Sequence, residues 1–388
     1  MVFQMIGVER MDKDRILRTF LELVQINSET GYEGTLHGVL KRMFHALDLT
    51  VQEDQASQQL DTHVNNLIIS IPATAGYEWC EPICFTAHMD TVTPGAKIKP
   101  QIYEDGYIYS DGTTILGADD KAGLTAMIEL VRILKEDQIA HGAIQLIVTV
   151  QEEVGLQGAK ALDPSLLNAH YGFTVDAHAA IGTTIVASPY QSEIEIIFYG
   201  TRANSNHSSS HVSAITLLTR ALRQLRSTYT DDQSTIQISH FEGDSGTDNL
   251  QDRVILTITL RSFEKDLFDA QLNHIKDTFQ QIAHNYQTVA EVNVKQQLPG
   301  FNLQSPCKAI TLAQDSATAL NLSATTTLTQ DSSDGNILNE LGIPTVILGV
   351  GYENIHSTAE RISIESLYLL TRQLVEIVKL SRQSDNLI

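Results

Sequence analysis

Apolar residues fall in short runs through the first half of the chain. Residues 66–71, 83–87, 144–150 and 172–175 are each of strand length. Lacking polar alternation, they read as strands buried on both faces. Between them, Leu124, Met127, Ile128, Val131 and Leu134 recur at helical spacing. Alternating strand and helix patterns predict βα units, hence an α/β fold with a doubly wound, mainly parallel sheet and helices on both faces.

From about residue 188 to residue 300 the pattern changes. Glu193-Ile194-Glu195-Ile196 alternates with period two, as a half-exposed strand does. Ile215, Leu218, Leu222 and Leu225 then mark one face of a helix, and residues 235–241 and 253–260 are strand-like. Phe268, Leu272, Ile275, Phe279 and Ile282 line a second helix, and residues 289–294 close the segment. That order, βαββαβ, is the ferredoxin-like unit. A strand at 344–348 and a helix at 365–380 resume the earlier style. The expected organisation is one domain of residues 1–187 and 301–388, interrupted by an insert of residues 188–300.

Composition narrows the range of functions. A chain of 388 residues exceeds one ordinary core, which agrees with two domains. Its formal net charge of −21 argues against nucleic acid and anionic membranes as partners. Residues 1–24 show no basic stretch leading into an apolar one, so no secretory signal is expected, and no apolar run approaches membrane-spanning length. Cys80, Cys84 and Cys307 are an odd set. If extended, residues 80–84 separate their end Cα atoms by about 13 Å, beyond disulfide reach. Reduced thiols in a cytoplasmic protein are the expectation.

In open parallel sheets, sites form beyond the carboxyl ends of the strands. His88-Met89-Asp90 follows the second run, Gln151-Glu152-Glu153 the third and Asp176 the fourth. His356 follows the strand at 344–348 after a glycine-rich turn, and Asp119-Asp120 opens the helix near Lys121. Each position offers an imidazole or a carboxylate, ligands that zinc accepts. Asp119-Asp120 alone also suits a helix cap. Gathered at one sheet edge, however, these carboxylates carry an excess negative charge that divalent cations would neutralise. Asp90, two residues from His88, can share its face and tune it. The neighbours Glu152 and Glu153 point apart, so one can bind metal while the other addresses water. A single aspartate can bridge two metals about 3.5–4 Å apart.

Thr86-Ala87-His88-Met89-Asp90-Thr91-Val92, Thr114 through Gly123 and Glu152-Glu153-Val154-Gly155-Leu156 resemble the peptidase T group. These are the tripeptide aminopeptidases among the di-zinc exopeptidases, whose relatives include carboxypeptidase G and acetylornithine deacetylase. Ser333-Asp334-Gly335-Asn336, Gly342-Ile343-Pro344-Thr345 and residues 351–360 match as well, so the resemblance spans nearly the whole chain.

The resemblance implies a di-zinc catalytic domain and, in residues 188–300, a lid that mediates homodimers in some relatives. It implies that His88 and Asp176 bind one zinc and Glu153 and His356 the other, with Asp119 bridging and the Asp119–Asp120 peptide cis. Cobalt or manganese can substitute for zinc. Glu152 is then the general base and Asp90 the partner of His88, while Asn249 and Arg261 in the lid bind polar or carboxylate groups of a short peptide. Relatives carry Gly-x-x-x-His-Ala-Gly early in the lid, whose histidine reaches the substrate carbonyl. This chain has Asn204 at that position, with His207 available through a shifted loop and His211 as a further candidate. The other expectations consistent with the pattern are a related deacylase or carboxypeptidase, and a metal-holding protein that binds peptides without turnover.

Overall fold

The computed structural model describes residues 12–201, 212–225, 234–244 and 252–382. The chain divides into two compact units. Met1–Val186, Leu303–Leu328 and Ser333–Ile388 form one, and Ala187–Asn302 with Thr329–Ser332 the other. In chain order the main strands are β1 (Thr50–Glu53), β2 (Leu67–Ile71), β3 (Ile83–His88), β4 (Ile144–Thr149), β5 (Tyr171–Ala177) and β6 (Thr183–Ser188). They continue with β7 (Tyr190–Tyr199), β8 (Ser234–Asp244), β9 (Arg253–Ser262), β10 (Ala290–Leu298) and β11 (Thr345–Gly349).

Seven strands of the nine-stranded main sheet run in the order β1-β2-β4-β3-β5-β11-β6, and Phe301–Asn302 and Thr325–Leu328 each pair with β6. The central strands β4, β3, β5 and β11 are parallel, while β1, β2 and β6 join antiparallel at the edges. Every residue of β3, β4 and β11 is buried, which explains why their mainly apolar runs show no alternation. The run at 66–71 forms β2 without its first residue. Asn66 is instead fully buried, donating to Asp54 (2.6 Å) and the Gly158 carbonyl (2.8 Å) and accepting from the Val150 amide at 3.0 Å. It thereby pins the segment that leaves β4. The helix Ala118–Glu136 packs against Lys13–Val24 and Ile364–Ser381. A small sheet of two- and three-residue strands joins Gln101–Ile102, Tyr107–Tyr109, Arg361–Ser363 and Tyr352–Glu353.

The second unit is an antiparallel sheet of order β8-β9-β7-β10 with the helices Ala214–Leu225 and Lys265–Asn285, the expected βαββαβ insert. Along β9 every second residue, Val254 to Ser262, is buried, so one face meets a core. Ile194, Ile196, Phe198, Leu256, Phe268, Ile275 and Phe279 build that core.

Candidate metal centre

Parallel strands in adjacent register deliver their carboxyl ends to one edge of the sheet. There β3 ends at His88, β5 carries Asp176, and the segment after β4 carries Glu152 and Glu153. Asp119 and Asp120 lie at the start of the helix Ala118–Glu136 but lack helical dihedrals, so regular turns begin after them. They divide two tasks. Asp120 Oδ1 caps the helix by accepting the Gly123 amide at 3.0 Å. Gly123 has no room for a side chain, since a Cβ would lie 2.5 Å from Asp120 Oδ1 and 2.7 Å from the Val175 carbonyl oxygen. Asp119, joined to Asp120 by a cis peptide bond, faces the histidines.

The two oxygens of Asp119 are shared between two imidazoles. Oδ1 lies 3.1 Å from His88 Nε2 and Oδ2 3.1 Å from His356 Nε2. His356 Nε2 is also 3.0 Å from Glu153 Oε2, and His88 Nε2 is 3.6 Å from Asp176 Oδ1. His88, Asp119 and Glu153 form one cluster of ligand atoms, and His88, Asp120 and Asp176 another. Asp120 thus combines the helix-cap role that its sequence position suits with a place in the second cluster.

Asp90 divides its contacts between His88 and the loop after β4. The nearest partner of His88 Nδ1 is the Asp90 carbonyl oxygen at 3.0 Å, with the carboxylate farther away at 3.4 Å. That carboxylate turns instead to the next loop. Oδ1 accepts the Glu152 amide at 2.9 Å, while Oδ2 accepts the Glu153 amide at 3.2 Å and the Thr30 hydroxyl at 2.9 Å. Because β3 ends at His88, strand alternation no longer decides where Asp90 points.

Electrostatics mark the cluster as built around positive charge. Burial pushes Asp120 and Glu152 well above the ordinary carboxylate range, and Asp176 up to about 7. Burial would raise Asp119 too, but hydrogen bonds with His356 and His88 hold it well below that range. Burial would lower His88, yet its contacts with Asp119, Asp176 and Asp90 raise it well above an ordinary histidine. Asp119 and Glu153 likewise raise His356 to about 10. Without a cation, protons therefore offset the crowded carboxylates. Asp120 Oδ2 and Glu153 Oε1 are buried and find no hydrogen-bond donor among the described residues. Imidazole nitrogens, carboxylate oxygens and unused lone pairs together fit a zinc-type donor set.

Three residues that sequence reasoning did not single out complete the surroundings. Tyr352, fully buried, donates its hydroxyl to Asp176 Oδ1 at 3.0 Å. Asp334 is buried beside the Thr149 hydroxyl, which donates to it, and burial raises its carboxyl to about 6. Glu33 accepts the amides of Gly31 (3.0 Å) and Gln151 (3.3 Å). Tyr352 and Asp334 lay inside motifs already matched, but Glu33 had no local signal. Gln151 and His356 both adopt left-handed backbone, with φ of 50° and 58°. Such conformations cost about 1–3 kcal/mol each and concentrate at functional sites.

Of the lid candidates, Arg261 lies on β9 and its Nε donates to Gln191 Oε1 at 2.8 Å. Asn204, His207, His211 and Asn249 lie outside the described residues.

Comparison with known proteins adds an independent line. The model of peptidase family M20/M25/M40 matches residues 84–380. An uncharacterized protein of Bacillus subtilis (strain 168), YqjE, is 38% identical over 370 residues, covering 95% of this chain and 99% of its own length. A tripeptidase structure from Staphylococcus aureus has a TM-score of 0.89 at 44% identity, covering 96% of this chain and 99% of that one. The aminopeptidase PepT structure from Bacillus cereus has a TM-score of 0.90 at 38% identity, covering 96% and 100%.

Proposed function

The chain belongs to peptidase family M20/M25/M40 and is a metallopeptidase, and we propose that it removes the N-terminal residue of short peptides, tripeptides above all, using two zinc ions. Cobalt or manganese would be able to replace zinc. The names of its similar structures, a tripeptidase and an aminopeptidase, support the substrate class. The observation that carries the two-metal reading is Asp119, whose two oxygens face two different histidines. In this reading His88 and Asp176 hold one ion, Glu153 and His356 the other, and Asp119 both.

When bound, the ions would supply Lewis acidity toward the peptide carbonyl and lower the pKa of water. Glu152 then removes the proton from the attacking water and passes it to the leaving amine, a contribution of about 10²–10⁴-fold. Its backbone amide, held by Asp90, fixes the start of that side chain. Asp90 serves the pair Glu152–Glu153 more directly than it serves His88.

Residues 1–187 and 301–388 would supply catalysis, and residues 188–300 a lid. Within the lid, Arg261 and Asn249 would take the polar and carboxylate groups of the peptide. Asn204 or His207 would donate to its carbonyl as charge develops there. The lid would also carry a homodimer contact. Its edge strand β8 exposes Ile238 and Phe241, near which Ile215 is exposed as well. Such an edge offers unpaired backbone groups to a partner.

A cytoplasmic location completes the proposal. Cys80, Cys84 and Cys307 are free thiols, and no helix among the described residues is long and apolar enough to cross a membrane. The net charge of −21 disfavours nucleic acid and anionic membranes.

A substrate panel tests the activity. Tripeptides with a free amino terminus should be cleaved to a free N-terminal residue and a dipeptide, whereas N-acetylated tripeptides and N-acyl amino acids should react at least tenfold more slowly. Preference for N-acyl amino acids would instead assign a deacylase, and binding without turnover a non-catalytic protein.

A further inference from the structure

Glu360 lies four residues beyond His356 and is almost fully buried. Its Oε2 accepts the amides of Leu116 (2.8 Å) and Gly117 (2.7 Å), and its Oε1 accepts the amide of Asp119 at 3.0 Å. These amides precede the first regular turn of their helix, so no earlier carbonyl of that helix can receive them. Gly117 is left-handed there, with φ of 70°. At its other end Glu360 belongs to the turn that shapes His356. The Glu360 amide donates to the Ser357 carbonyl at 3.1 Å, and the Ser357 hydroxyl to the Asn354 carbonyl at 2.7 Å. His356 Nε2 then returns to Asp119 Oδ2 at 3.1 Å. The two loops are thus closed into a ring, with a carboxylate clasp at one point and the Asp119–His356 pair at another.

We propose that Glu360 is a positioning residue that clasps the Asp119 loop to the His356 loop and thereby sets the metal position shared by Asp119, Glu153 and His356. This rests on the two-metal reading above. Glu360 need not touch metal or substrate, because it holds the Asp119 amide and so fixes where that side chain leaves the backbone. Lys121, whose buried side-chain nitrogen donates to the Ile26 carbonyl at 2.7 Å, lies within electrostatic reach of the clasp. The metal position of His88 depends on it less, since His88 and Asp176 come from β3 and β5, outside the clasped loops.

The variants Glu360→Gln and Glu360→Asp test this by stepwise zinc titration of metal-stripped protein against a competing chelator. An amide nitrogen in place of one carboxylate oxygen faces an N–H donor in either orientation. In Glu360→Gln one of the two binding steps should weaken about 10–100-fold, the range seen when groups that orient metal ligands are lost. The other step should change less than threefold, and excess zinc should restore most of kcat. Glu360→Asp keeps the charge and should weaken the same step by less, and it carries the test if the glutamine variant does not fold. Two unchanged steps would overturn the proposal. So would equal weakening of both steps with a lower unfolding temperature, the mark of a purely structural role. A wild-type chain that binds only one ion would overturn the underlying two-metal reading, and that result appears before any variant is made.

Discussion

In Asp90→Asn one carboxylate oxygen becomes an NH₂ group, and in either orientation that group faces a backbone N–H donor. At the Oδ1 position it would face the Glu152 amide, 2.9 Å from the present oxygen. At the Oδ2 position it would face the Glu153 amide (3.2 Å) and the Thr30 hydroxyl (2.9 Å). Only the hydroxyl can rotate to accept. The variant therefore loses at least one charge-assisted bond, worth about 1.5–3 kcal/mol, and buries a donor against a donor. A total of about 2–4 kcal/mol follows, or an unfolding temperature lower by about 4–16 °C in metal-free protein. Because both glutamates hang from these amides, kcat should fall by about a hundredfold, the scale of a 1 Å misplacement. The His88 ring keeps its orientation, since its Nδ1 retains the Asp90 carbonyl at 3.0 Å, while losing the charge of the carboxylate 3.4 Å away. Thermal unfolding with chelator and steady-state kinetics in excess zinc measure both effects. An unfolding temperature within 1 °C of wild type together with kcat within threefold would refute the reasoning. Loss of a metal with kcat restored by excess zinc would show instead that the carboxylate serves His88.

Glu152→Gln should keep both metals and lose turnover by at least a hundredfold, whereas Glu153→Gln should weaken one metal and recover partly in excess zinc. Elemental analysis and kinetics separate them, and the reverse outcome would exchange their roles. Metal-free protein should lose stability as pH rises from 5 to 8. Asp176 and Asp334, raised to about 7 and about 6, and His356, raised to about 10, bind protons more tightly folded than unfolded. Their contribution is present at low pH and fades as pH climbs through those values. Added zinc should stabilise more at pH 8 than at pH 5, and thermal unfolding with chelator that shows higher stability at pH 8 would count against this.

Buried regularity was easy to see in the sequence, and buried irregularity was not. β3, β4 and β11 are covered on both faces, so their runs are mostly apolar without alternation, and the alternation in β9 betrays its single buried face. The small sheet escaped because strands of two or three residues carry no period. At the site, His88, Asp119, Glu153, Asp176 and His356 each lie at or beyond the end of a strand or open a helix, positions where topology predicts chemistry. Tyr352 and Glu360 do their work across the fold, 176 residues from Asp176 and 241 from Asp119 respectively, and no local pattern predicts such a contact. Asp90 lies past the end of β3, so the two-residue rule of a strand places it near His88 but does not reveal that its carboxylate also accepts the amides of Glu152 and Glu153.

Turnover of a free tripeptide by metal-stripped protein, followed as zinc is added in fractions of one equivalent, tests the account most directly. The two-metal peptidase reading predicts negligible hydrolysis before zinc is added, and a rate that reaches its plateau at about two ions per chain. Full activity in protein shown by elemental analysis to be metal-free, or a plateau at one ion, would contradict it.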